Sequence, residues 1–141
     1  MPPFTFSHDV QLRYRDLDPN GHVNHAVYAT CFEDARTAYW QTVVDEPLAE
    51  AGVAIVSLSI DYEAELDLDM DPTVVMRIDP IGRSSIPQVY ELRVEDRRVA
   101  RANAVMVAFD RDRRRSRPVP ERWRAAIAGY EAAHGNDWAD R

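Results

Sequence analysis

Residues 25–44, HAVYATCFEDARTAYWQTVV, contain neither glycine nor proline, and this stretch decides the fold class. Apolar side chains recur at helical spacing on one face: Tyr28, Phe32, Ala35, Tyr39 and Val43, with Cys31 beside them. Polar side chains take much of the other side: Glu33, Asp34, Arg36, Thr37 and Gln41. The pattern predicts one long, well-buried helix, and Asn24 is a plausible N-cap residue for it.

The segments around this helix alternate with the period of two that is typical of strands. One strand is predicted before the helix, at residues 4–14, and four follow it, at residues 53–65, 72–81, 84–94 and 99–109. Residues 120–133 predict a short C-terminal helix with Pro120 at its start. Consecutive strands joined by short turns favour an antiparallel sheet. We therefore expect an α+β fold in one domain, residues 1–141, with a five-stranded sheet and one long central helix.

The composition limits the classes of function. The net charge is −7, which argues against a nucleic-acid partner because such proteins usually present a basic face. No apolar run is long enough for a membrane span, and no signal peptide is recognised at the N-terminus. Cys31 is the only cysteine, which excludes an intrachain disulfide and a CxxC metal site. A cytoplasmic setting is expected.

Residues 16–27, DLDPNGHVNHAV, have part of the spacing of a calcium-binding loop. Asp16, Asp18, Asn20 and Gly21 fit the first half of an EF-hand, but Val27 stands where the bidentate glutamate is required. The preceding segment also alternates like a strand instead of a helix. A transition-metal site built from the aspartates and histidines of this stretch has no spacing that fixes its geometry. No metal ligands are assigned.

The same stretch also suits acid–base or nucleophilic chemistry. Asp18 precedes the turn at residues 19–21, and the turn leads into the start of the long helix. The first N–H groups of a helix have no intrahelical acceptor and carry the positive end of its dipole, so they can polarise a carbonyl. A nearby carboxylate could attack that carbonyl or activate water. The simpler interpretation is that Asp18 only caps the turn, as aspartates before proline often do.

The segment RYRDLDPNGHVNHAVY, followed by FEDAR, resembles the hotdog-fold acyl-CoA thioesterases of the 4-hydroxybenzoyl-CoA thioesterase type. SIDYEAEL, IGRSSI and RVARANAVMVAFD extend the resemblance over about residues 6–123, whereas the acidic ELDLDMDP departs from the family pattern. The resemblance implies a sheet wrapped around the helix, an acyl-CoA substrate, and neither a metal nor a cofactor. It also implies homodimers with continuous sheets, often paired into homotetramers, with active sites at the subunit interface.

By this resemblance Asp18 is catalytic, as nucleophile or general base, and the backbone N–H of His25 binds the thioester oxygen. Tyr14 and the ring of His25 are expected to assist. Substrate contacts are expected from six further residues: Gly21, His22, Asn24, Arg83, Ser84 and Ser85. The acyl group stays open, and so does the alternative of a hotdog domain that binds acyl-CoA without hydrolysing it.

Overall fold

The computed structural model describes residues 1–141. Its strands and helices are, in chain order, β1 (Phe6–Asp9), α1 (His25–Val43), β2 (Val53–Tyr62), β3 (Pro72–Ile78), β4 (Ser85–Val94), β5 (Arg97–Asp110), β6 (Arg115–Ser116) and α2 (Glu121–Ala133). The predicted long helix and short C-terminal helix are confirmed to within one residue at each end. The first strand is shorter than predicted, because the chain leaves the sheet after Asp9 and makes a single 3-10 turn at Tyr14–Asp16.

The strands form one antiparallel sheet in the order β1-β3-β4-β5-β2. Strand β6 has two residues and pairs only with the end of β5, so it adds a short hairpin to the five predicted strands. The curled sheet wraps around α1, which contacts β1, β3 and β4. This arrangement is the expected hotdog fold, in the predicted α+β class.

The buried face of α1 is wider than the sequence predicts. Tyr28, Phe32 and Tyr39 are buried as expected, but so is Arg36, which the sequence places on the polar side. Arg36 lies one turn from both Phe32 and Trp40, so it belongs to a second row of buried positions on the same helix. Only 8% of Arg36 is exposed, and the prediction for this residue is therefore wrong.

A completely buried carboxylate joins the C-terminal helix to the core. Glu131 of α2 accepts hydrogen bonds at Oε2 from the hydroxyls of Thr5 (2.6 Å) and Tyr39 (3.0 Å). Its Oε1 accepts from the Ile78 N–H and from Asn136 Nδ2, both at 2.8 Å. Burial raises the pKa of the Tyr39 hydroxyl, and the neighbouring Glu131 raises it further. Four donors from four parts of the chain thus take the place of water around one carboxylate.

The sheet leaves one long edge uncovered. Strand β2 pairs with β5 on one side only, and Ile55, Val56, Leu58 and Tyr62 remain 40–60% exposed. An unpaired apolar edge of this length is a surface that another chain can extend. Neither helix combines the length and apolarity that crossing a membrane requires.

Replacing Glu131 tests how far the fold depends on this carboxylate. In Glu131→Gln the amide oxygen keeps the Ile78 and Asn136 bonds, and the two hydroxyls can turn to accept from its NH₂ group. We expect a loss of about 1 kcal/mol for Glu131→Gln and about 3 kcal/mol or more for Glu131→Ala, which removes an acceptor from four donors and leaves the Tyr39 hydroxyl and the Ile78 N–H with none in the core. Urea unfolding checks this, with the exposed Glu121→Gln on the same helix as control. Equal stability of all three variants would contradict it.

Candidate active site

The stretch at residues 16–24 folds as a small hairpin in front of α1. Leu17 and Val23 form an isolated antiparallel bridge, and the Asp18 N–H donates to the His22 carbonyl at 2.7 Å. The Gly21 N–H closes the turn on the Asp18 carbonyl at 3.0 Å. Gly21 has φ +81°, a conformation that L side chains rarely adopt, so glycine is required here for backbone reasons.

Asn24 fixes where α1 begins. Its Oδ1 accepts from the Ala26 N–H at 2.9 Å, which confirms the predicted N-cap. Its own N–H donates to the Asp16 carbonyl at 2.8 Å, and the Asp16 carboxylate is buried and accepts from the Arg13 N–H at 2.8 Å. The first aspartate of the signature therefore holds the chain in place, and the second remains available for other contacts.

The two oxygens of the Asp18 carboxylate are in different situations. Oδ1 accepts from the N–H groups of Asn20 (2.9 Å) and His22 (3.2 Å), so the turn-capping interpretation is correct for this atom. Oδ2 has no hydrogen-bond partner in the protein. Asp18 lines a pocket of about 450 Å³ together with His25, Tyr28 and Tyr62. One oxygen thus orients the carboxylate while the other stays free beside the pocket.

His25 lines the same pocket and carries a free backbone N–H group. It is the first residue of α1, and its backbone N–H donates to no acceptor in the protein. Its ring is exposed, and its carbonyl accepts from the Tyr62 hydroxyl at 2.9 Å. A free N–H at the positive end of a helix dipole is suited to stabilise negative charge on a bound oxygen.

Sequence reasoning did not identify Tyr62, which closes the pocket from the end of β2. Its ring packs edge-on against the rings of Tyr28 (centroids 5.0 Å apart) and His25 (6.1 Å). The sequence does contain a pattern that could have identified it: Tyr62 follows Leu58 and Ile60 at every second position, so all three lie on the helix side of the strand. The pocket therefore has an aromatic wall that joins the helix to the uncovered sheet edge.

His22 interacts with the acidic segment at residues 65–72. Its Nδ1 lies 3.0 Å from Asp67 Oδ1, and its Nε2 lies 3.5 Å from Glu65 Oε2. The hydrogen bond to Asp67 raises the pKa of His22 above 6.5, and the charge of Glu65 raises it further. The ring therefore keeps its proton to a higher pH than a free histidine does. The acidic segment also supplies the Leu66 carbonyl that accepts from the Val23 N–H at 2.8 Å.

Four predicted site residues lie away from this pocket within one chain. Tyr14 is 81% exposed on the 3-10 turn and does not line the pocket. Arg83 and Ser84 precede β4 and Ser85 is its first residue, so all three lie at the opposite end of the sheet, where the Val119 N–H donates to the Arg83 carbonyl at 2.8 Å. That end lies beside the C-terminal end of α1, because Trp123 of α2 packs on Trp40 there.

The remaining reactive groups are buried or do not converge. Cys31 is buried, and burial raises the pKa of its thiol to about 12, so it has little thiolate at neutral pH. No three histidine, cysteine, aspartate or glutamate side chains are grouped as metal ligands.

Comparison with known proteins gives a family match. The model of the Thioesterase-like superfamily matches residues 12–127. A thioesterase from Thermus thermophilus, solved with coenzyme A and Zn, is 31% identical with a TM-score of 0.85, covering 94% of this chain and 98% of that one. A thioesterase-superfamily protein from Jannaschia sp. CCS1 is 25% identical (TM-score 0.78; 92% and 85% covered).

A 1,4-dihydroxy-2-naphthoyl-CoA thioesterase from Synechocystis is 22% identical, with a TM-score of 0.78 and coverage of 86% and 94%, and shares the fold. No curated protein matches the chain.

Proposed function

The chain belongs to the thioesterase-like superfamily, and we propose that it hydrolyses an acyl-CoA thioester to a free acid and coenzyme A. The proposal rests on one observation above all: Asp18, whose Oδ2 is free, and His25, whose backbone N–H is free, line one pocket. The coenzyme A bound to the Thermus thioesterase supports the choice of thioester. The narrower 4-hydroxybenzoyl-CoA type is proposed from the sequence signature alone.

The chemistry needs two groups from this chain. With Asp18 as general base, Oδ2 takes a proton from water as the water oxygen bonds to the thioester carbon. The carbonyl oxygen becomes an oxyanion that accepts from the His25 N–H. The C–S bond then breaks, and the proton passes from Asp18 to the leaving thiolate. With Asp18 as nucleophile, Oδ2 bonds to the carbon and the C–S bond breaks to release the coenzyme A thiolate. Water then hydrolyses the resulting anhydride, which frees the acid and the Asp18 carboxylate and supplies the proton that the thiolate takes up.

We propose that two chains pair through their β2 edges as a homodimer. The uncovered apolar edge supports this assembly, because pairing would bury Val56 and Leu58 and satisfy the free backbone groups. Antiparallel pairing sets the Val53 end of one copy beside the Tyr62 end of the other. Ser85 pairs with Val107 at the Val53 end, so residues 83–85 would approach the Asp18 pocket of the partner. The predicted substrate contacts would then come from two copies.

Asp18→Asn tests the carboxylate with little risk to the fold. The amide oxygen of asparagine can still accept from the Asn20 and His22 N–H groups, whereas the negative charge is lost. We expect thiol release from acyl-CoAs to fall about 100-fold or more. Asp69→Asn is the matched control, since Asp69 is exposed and does not line the pocket. Equal rates in both variants would make Asp18 a turn residue only. If the wild type binds acyl-CoA tightly but releases no thiol, the alternative of a hotdog domain that binds acyl-CoA without hydrolysing it would be favoured.

His25→Pro tests the oxyanion contact through the backbone. Proline is well tolerated at the first residue of a helix and lacks the N–H group. Asn24 has φ −58° and ψ 134°, a conformation that is compatible with a following proline. We expect kcat to fall about 100- to 1,000-fold in His25→Pro. The control His25→Ala also removes the ring but keeps the N–H, so it should keep most of the rate. Equal losses in both variants would assign the role to the ring.

Leu58→Asp tests the dimer. A carboxylate on the β2 edge should dissociate the pair, because it would be buried in the interface without a partner. We expect sedimentation velocity to give a dimer for the wild type and the 16.1 kDa mass of one chain for the variant. Ser7→Asp, which places the same charge on the opposite sheet edge, should remain dimeric. A monomeric wild type would refute the proposed assembly.

A further inference from the structure

Arg36 is a buried cation without a full set of partners. Its Nη1 donates to the Tyr90 hydroxyl at 3.2 Å, and no other hydrogen bond to its guanidinium is formed within the protein. The closest carboxylate, Glu33, lies 3.9 Å away at Nη2, and its side chain is 67% exposed. The other N–H groups of the guanidinium form no hydrogen bond within the protein and are not sealed from solvent, so they can donate to an acceptor that enters from outside.

The neighbours of Arg36 hold the guanidinium in place. The Tyr90 hydroxyl donates to Gln88 Oε1, which leaves its oxygen free to accept from Arg36. Both Tyr90 and Gln88 are buried under α1. Burial raises the pKa of Tyr90 to about 12, so this hydroxyl stays neutral and does not balance the charge of Arg36. The polar chain fixes the orientation of the cation, and the largely exposed carboxylate of Glu33 is the one anion within 4.0 Å of it.

Arg36 lines a small pocket between α1 and the sheet edge. The pocket has a volume of about 270 Å³ and also contains Glu33 and Thr37 of the helix. Its other walls are apolar: Leu48, Ala49, Val53, Ile55 and Met106. The volume lies just below the roughly 300–1,000 Å³ of ordinary small-molecule sites, so it suits a short chain. The lining is mainly apolar, with the Arg36 cation and the largely exposed Glu33 carboxylate on the helix side, and the free N–H groups of Arg36 are complementary to a short apolar chain that ends in an anion.

We propose that the Arg36 pocket binds the carboxylate at the end of a short apolar chain. The planar guanidinium suits a carboxylate because both groups can form two parallel hydrogen bonds. The carboxylate has two possible sources, which share this chemistry. One is a free acid, and the other is the far end of an acyl group that carries a second carboxylate. The second source rests on the proposed function and dimer, since β2 pairing would bring this pocket towards the Asp18 pocket of the partner.

Direct binding tests the pocket without reference to catalysis. Hexanoate and its neutral analogue hexanamide are titrated into ¹⁵N-labelled wild-type protein while the Arg36 Nε–Hε resonance is followed by NMR. We expect a saturable shift of this resonance with hexanoate. Hexanamide should bind with an affinity at least about tenfold lower. Arg36→Met should lose hexanoate binding by a similar factor, and Arg97→Met, at an exposed arginine in the β4–β5 hairpin, should not.

A second variant keeps the test valid if Arg36→Met does not fold. Ala49→Phe should fill the mouth of the pocket from an exposed position and block hexanoate while Arg36 stays in place. Equal binding of hexanoate and hexanamide, or unchanged binding in the pocket variants, would overturn the proposal. So would dissociation of the dimer in Arg36→Met without any response of the wild type to hexanoate, because a second copy would then supply the acceptor.

Thioester kinetics separate the two sources. If the carboxylate belongs to the acyl group, Arg36→Met lowers kcat/KM about tenfold for adipoyl-CoA and leaves hexanoyl-CoA unchanged. If the source is a free acid, both thioesters react as in the wild type while hexanoate binding is still lost. Hexanoate binding in a protein that releases no thiol from any acyl-CoA would contradict the proposed hydrolysis and support the pocket.

Discussion

The candidate active site depends on how α1 begins. A helix can offer a free N–H group only if its first residue is held at a fixed place, and here Asn24 does this by capping Ala26 and by bonding to the Asp16 carbonyl. The small hairpin before it needs the positive φ of Gly21. Through the Val23–Leu66 bond the hairpin is also tied to the acidic segment after β2. The same backbone contacts that start the helix therefore set Asp18 and His25 beside one pocket.

Much of this arrangement could be predicted from the sequence, because it is local. Neighbouring residues in the chain determine the alternation of the strands and the apolar face of α1. They also determine the turn that follows Asp18. Arg36 could not be placed, since its burial depends on the width of the sheet that covers the helix. Tyr62 was missed for a similar reason: its role appears only when the end of β2 meets the first turn of α1. The separation of residues 83–85 from Asp18 likewise follows from the strand order.

The acidic segment shows how a departure from the family pattern is accommodated. Asp67, Glu65 and Asp18 bring three negative charges into contact with one residue, His22. Its ring is bonded to Asp67 and close to Glu65, its backbone N–H donates to Asp18, and its raised pKa keeps the ring protonated to a higher pH than that of a free histidine. A protonated His22 offsets part of the local negative charge. Its role is thus electrostatic as well as structural, beyond the substrate contact that the resemblance implies.

Two buried ionisable groups in this core, Glu131 and Arg36, differ in how completely the protein supplies their hydrogen-bond partners. Glu131 has no cation beside it, yet four donors surround its oxygens, so its hydrogen bonding is complete without a ligand. Arg36 has one neutral acceptor and one largely exposed carboxylate at 3.9 Å. Both groups carry a desolvation cost, and the first has interactions at every lone pair it presents to the core, whereas the second keeps free N–H groups. Free donors on a mostly buried cation beside an apolar pocket are what the proposed binding of an anion requires.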